Sequence, residues 1–133
     1  MLQLKNIVKT YAISGTQESV PALRGVDLAF RDSEFVAVLG PSGCGKPTLL
    51  NILGGLDRYT DGDLIINGRS TKEYGDGDWD TYRNHSIGFV FQSFNLITKY
   101  TALENVVLSM DVANYKTKSK QARALGLLDS VGL

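Results

Sequence analysis

Phe35-Val36-Ala37-Val38-Leu39-Gly40-Pro41-Ser42-Gly43-Cys44-Gly45-Lys46-Pro47-Thr48 decides how this chain is read. The first five residues are apolar without interruption, the pattern of a strand buried on both faces. Glycines at 40, 43 and 45 then let backbone N–H groups converge on an anion without side-chain obstruction. A helix is expected from about Lys46 through Leu49, Leu50, Ile52 and Leu53, closed by Gly54-Gly55. Its start points unpaired N–H donors and a positive dipole end at the same spot. Lys46 supplies a mobile cation for the outer phosphates of a ligand. With 14 glycines in 133 residues a chance cluster is conceivable. Chance would not also set strand, loop, lysine and helix in the order that phosphate binding needs.

One residue departs from that pattern. Ser or Thr is expected directly after the lysine, and the chain has Pro47. The hydroxyl that would ligate Mg²⁺ is lost, and so is a backbone N–H. Thr48 follows one position later, about 100° further around a helix, and does not replace it. Proline is tolerated in a first helical turn, so nucleotide chemistry should suffer more than the fold.

Outward from the loop, Leu2, Leu4 and Ile7 begin an extended segment ending near Tyr11, and residues 12–21 read as a polar loop. Residues 22–30 alternate apolar and polar, as in a half-exposed strand. Residues 63–67 form another strand, and Asn67-Gly68 is a hairpin turn signal. Asp76 or Asp78 can cap a short helix through Tyr82. Ile87 to Phe91 repeats the buried-strand pattern, and helices are expected at about 102–112 and 119–131. Strands first, an α/β unit next and helices last describe an α/β domain with a helical appendage.

Composition agrees with an ordinary globular chain: 43% hydrophobic, 21% charged and a formal net charge of zero. No basic run suggests a nucleic-acid partner. The lone cysteine, Cys44, excludes an internal disulfide and reads as a spacer. The start lacks a signal-peptide layout, and no apolar run approaches the ~20 residues of a membrane span. A cytoplasmic location without direct membrane insertion is expected.

The chain resembles the ATP-binding cassette (ABC) family of transporter ATPases, in particular its lipoprotein-releasing and macrolide-export subunits. The residues behind this are Ala22-Leu23-Arg24-Gly25-Val26, Glu34 through Gly43, and Leu49 through Arg58. Ile87-Gly88-Phe89-Val90-Phe91-Gln92-Ser93-Phe94-Asn95-Leu96 and Thr101 through Val106 extend the match over nearly the whole chain. The resemblance implies a P-loop NTPase fold, as the N-terminal part of an ABC nucleotide-binding domain. Residues 1–92 would be the ATP-binding core, with antiparallel strands, and 93–133 the start of the helical subdomain.

It also implies ATP and Mg²⁺ as cofactors. Tyr11 is given to adenine stacking, and Gly40, Pro41, Ser42, Gly43, Cys44, Gly45, Lys46, Pro47 and Thr48 to the phosphates. Lys46 and Gln92 are given to catalysis, with Gln92 at the metal and the attacking water. A membrane permease and a second cassette are the implied partners, and Phe94, Leu96, Ile97, Tyr100 and Leu103 fall where the permease docks. The location would then be peripheral, at the inner face of the cell membrane. The Leu-Ser-Gly-Gly-Gln signature, the acidic strand end and the switch histidine of the family have no counterpart here. His85 precedes any catalytic-histidine region, and Ser33 replaces a usual glycine. Hydrolysis by this chain alone is therefore not expected, and its status as an enzyme stays open. The alternatives are a non-catalytic nucleotide-binding or interaction module with a degenerate loop and, less well matched, another P-loop enzyme such as a small-molecule kinase.

Overall fold

A computed structural model describes residues 1–133. The chain divides into two compact units, Met1–Arg83 and Asn84–Leu133. The first is built on a four-stranded antiparallel sheet of order β2-β1-β3-β4, with β1 Leu2–Ala12, β2 Ser19–Phe30, β3 Asp61–Ile66 and β4 Arg69–Ser70. Helix α1, Lys46–Leu53, packs on it, and α2 spans Asp76–His85. Leu4, Ile7, Leu23, Leu49, Ile52, Leu64, Ile66, Trp79 and Tyr82 are buried in this unit.

Leu4 and Ile7 are three residues apart, yet both are buried. Strict alternation forbids this, and a bulge permits it. The register against β2 slips between Leu4 and Ile7, and Asn6 sits inside the slip at φ 49°. The Asn6 N–H, displaced from the ladder, donates to Asp27 Oδ1 at 2.8 Å. After the bulge the core-facing set becomes Ile7 and Lys9, with Tyr11 continuing the same alternation.

Several turns form as their residues dictate. Asn67 and Gly68 both take positive φ, 50° and 83°, in the two-residue turn joining β3 to β4. Asp78 reaches back from the first turn of α2 to accept the Gly75 N–H at 2.9 Å. Gly54 and Gly55 close α1 in a Schellman turn: Gly55 at φ 71° donates to Ile52 O and Leu56 N–H donates to Asn51 O. In the second unit α3, Ala102–Val112, packs against α4, Lys120–Ser130. A full capping box of Thr101 and Glu104 starts α3, and Ser119 caps α4.

Two expectations are corrected. Residues 35–39 and 87–91 are not strands. Phe35 is 98% exposed and Leu39 90%, and Phe89, Val90 and Phe91 are exposed as well. An apolar run of this kind becomes a buried strand when neighbours hydrogen-bond to both edges and layers cover both faces. Neither run is paired into a sheet, so each retains the composition of a core strand without its burial.

Candidate functional site

The loop before α1 takes the shape its glycines allow. Gly43 and Gly45 adopt φ of 80° and 90°, the left-handed region that side chains other than glycine rarely enter. Gly45 is also the N-cap of α1 and lies against β2, where an added Cβ would stand 2.6 Å from Ala22 O. Lys46 and Pro47 are the first two helical residues. The backbone N–H groups of Gly43, Gly45 and Lys46 donate to no backbone acceptor, which leaves three donors around one short arc.

The Lys46 ammonium folds back into this arc. It donates to Gly40 O and Pro41 O, both at 2.7 Å, and lies 3.6 Å from Cys44 Sγ. A cation held by two carbonyl oxygens and a thiol, with no carboxylate partner, suits an incoming anion, because a phosphate oxygen offers it a full opposite charge. Gly43 and Cys44 also border an open concavity of about 370 Å³ with Ala22, Leu23 and Arg24 of β2. Pro41, Ser42, Cys44 and Pro47 are exposed, and Thr48 is half-buried. The residues 40–48 are thus assembled in one place, whereas the Mg²⁺-type donors are not. Pro47 carries no hydroxyl, and no three His, Cys, Asp or Glu side chains gather anywhere in the chain. The loop thus presents donors for an anion, and its second helical position presents no hydroxyl for a metal ion.

Tyr11 lies near the end of β1 in the same unit and is 40% exposed. Its hydroxyl donates to Asp57 Oδ2 at 2.7 Å. Asp57 Oδ1 in turn accepts from Lys9 Nζ at 2.6 Å and from the Arg58 N–H at 2.7 Å. Lys9, only 9% exposed, also donates to Arg58 O at 2.6 Å, and its ammonium lies 4.7 Å from the Tyr11 ring centroid. Lys9 and Asp57 were not singled out by sequence reasoning. A lysine in step with Ile7 was the available signal, and the bulge at Asn6 concealed which face it occupies.

Burial pushes the Asp57 carboxyl up, but the hydrogen bonds from Lys9, Tyr11 and the Arg58 N–H, with the Lys9 charge, outweigh it and hold the group below the ordinary carboxylate range. A lowered carboxylate pKa gives stability that is complete above the unfolded value of about 3.9 and is lost as pH falls through the folded value. Acid unfolding followed by the fluorescence of Trp79, the single tryptophan, should therefore steepen below about pH 4 in the native chain. Asp57→Asn should lower stability at neutral pH and flatten that dependence. An unchanged acid slope would remove Asp57 as its source.

Gln92 belongs to the second unit, in an exposed turn. His85 and Cys44 are exposed. No helix is long and apolar enough to cross a membrane.

A glycine-turned, lysine-bearing loop opening a helix defines a P-loop nucleotide-binding protein. The chain belongs to the ABC transporter family, whose model matches residues 23–133. It is 46% identical over its full length to the lipoprotein-releasing system ATP-binding protein LolD 1 of Rhodopseudomonas palustris, covering 59% of that protein. It is 45% identical to an ABC transporter ATP-binding protein of Thermotoga maritima, covering 56% of it. Among solved structures, the dimeric ATP-binding cassette MJ0796 in a post-hydrolysis state with ADP and Pi matches the whole chain at a TM-score of 0.86 and 42% identity, over 58% of its own length. MJ0796 is an ABC transporter ATP-binding protein of Methanocaldococcus jannaschii. The chain thus spans a little over half the length of the relatives it matches. The expected P-loop NTPase fold, as the N-terminal part of an ABC cassette, is borne out at the level of the whole fold.

Proposed function

We propose that this chain carries the ATP-binding site of a transporter's energy-supplying subunit, in which ATP binding and hydrolysis drive movement through a membrane permease. One observation carries the reading: Gly43 and Gly45 at positive φ, free N–H donors and the Lys46 ammonium are gathered at the start of α1. In this reading Gly40–Thr48 hold the phosphates, and Lys46 neutralises the outermost of them. Tyr11 stacks on adenine. Gln92 offers a neutral amide, able to donate and accept, to the reacting end. The resemblance assigns Mg²⁺ a hydroxyl and Gln92. With Pro47 in place of the hydroxyl, Gln92 is the residue of this chain that would meet the metal.

Residues 1–92 form the ATP-binding part, and 93–133 the part that meets the permease. A second cassette is the other partner, supported by the dimeric state of MJ0796. The location that follows is peripheral, at the inner face of the cell membrane through the permease.

A second reading, a non-catalytic interaction module, is favoured by Pro47 alone. Calorimetry with ATP in EDTA separates the two. One-to-one binding that disappears in Lys46→Met is expected, and a folded native chain that takes up no ATP would overturn the first reading in favour of the second.

A further inference from the structure

The geometry points to Lys9 and Asp57 as positioning residues for the Tyr11 ring: we propose that they orient it as a one-sided platform for the purine and tie it to the helix of the phosphate loop. The inference rests on the assignment of Tyr11 to adenine. Tyr11 is near a strand end and 40% exposed, so its ring would turn freely about χ1 and χ2 unless something held it. Two contacts hold it. The hydroxyl is anchored on Asp57 Oδ2 at 2.7 Å, and one face is covered by the Lys9 ammonium, 4.7 Å from the ring centroid. Only the opposite face is left for a flat ligand.

Asp57 is itself held in place. The Schellman turn at Gly54-Gly55 ends α1 at a defined angle, and the Asp57 N–H donates to Asn51 O at 3.2 Å. Lys9 fastens both the Asp57 carboxylate and the Arg58 carbonyl, each at 2.6 Å. The first turn of α1 opens on the phosphate loop, and Asp57, four residues past its end and tied back to Asn51 O, supplies the carboxylate that aims the tyrosine. A rigid two-turn helix thereby sets the spacing between the base platform and the phosphate loop. Pre-orienting the ring removes its ordering cost at the moment of binding.

The test compares ATP with inorganic tripolyphosphate, which has the phosphates and no base, by calorimetry in EDTA. Native chain, Tyr11→Phe and Asp57→Asn are titrated, with Trp79 fluorescence confirming that each is folded. Tyr11→Phe removes only the anchoring hydroxyl and keeps the π-face, so it carries the prediction even where Asp57→Asn folds poorly. Each variant should bind ATP about fivefold more weakly, the equivalent of one lost hydrogen bond, with tripolyphosphate unchanged. The double variant should be no worse than either single one, because both remove the same contact. Variants that retain native ATP affinity, or that lose ATP and tripolyphosphate equally, would overturn the positioning role while leaving the nucleotide site intact. A native chain that binds tripolyphosphate as tightly as ATP would overturn the adenine assignment itself, and this inference with it.

Discussion

Pro47→Ser should make ATP binding by this chain magnesium-dependent. In the native chain Mg²⁺ has no hydroxyl to meet at the second helical position, and Pro47 has no N–H to give the phosphates. Adding Mg²⁺ to native chain and ATP should therefore change the affinity little. Serine restores both groups. A new bond to a charged partner contributes about 1.5–3 kcal/mol, so Mg-ATP should bind the variant roughly ten- to a hundredfold more tightly than it binds the native chain. Pro47→Ala, which restores the N–H alone, divides the effect. It should raise affinity for ATP in EDTA and in Mg²⁺ alike, whereas only serine should create a difference between the two conditions. Calorimetry on the three chains, with and without Mg²⁺, makes the comparison. The same magnesium response in the native chain and in the Pro47→Ser variant would show that Pro47 does not govern the metal.

Gly45→Ala should damage the fold and the site together. At φ 90° a Cβ costs about 1–2 kcal/mol from local crowding. The new atom would also stand 2.6 Å from Ala22 O, a backbone atom of β2 that moves only if the sheet edge moves. Overpacking of this kind adds about 1–3 kcal/mol, giving about 2–5 kcal/mol in all. Gly43→Ala is the matched control, with φ 80° but nothing within 4 Å of the added atom. It should lose only the local part, about 1–2 kcal/mol. Thermal unfolding should rank native, Gly43→Ala and Gly45→Ala in that order, and ATP binding should fall most at Gly45, where α1 is pushed off β2. Equal melting of the two variants would mean that contact with β2 does not matter.

What was legible in the sequence follows a physical line. The turns at Asn67-Gly68 and Gly54-Gly55, the reach-back of Asp78 and the helices near 102–112 and 119–131 depend on neighbours a few residues away. They form where their residues place them. The loop of 40–48 is of the same kind. Its positive φ values need glycine, and its lysine reaches carbonyls five and six residues back.

The exposed runs at 35–39 and 87–91 mark the other side of the line. Apolar composition specifies that a segment is better buried, but burial of a strand requires other segments to pair with its edges, and that requirement is not written in the run itself. The bulge at Asn6 is a further case. It moves Lys9 to the core side of β1, where Asp57 and the Arg58 carbonyl, 48 and 49 residues away, make its charge tolerable.

By itself the sequence determined the phosphate loop, its missing hydroxyl and the family, because each depends on residue identity and short spacing. Only the tertiary structure decided that Lys9 and Asp57 stand behind Tyr11, because a buried charge can be assigned its partner only once the chain has brought the two together.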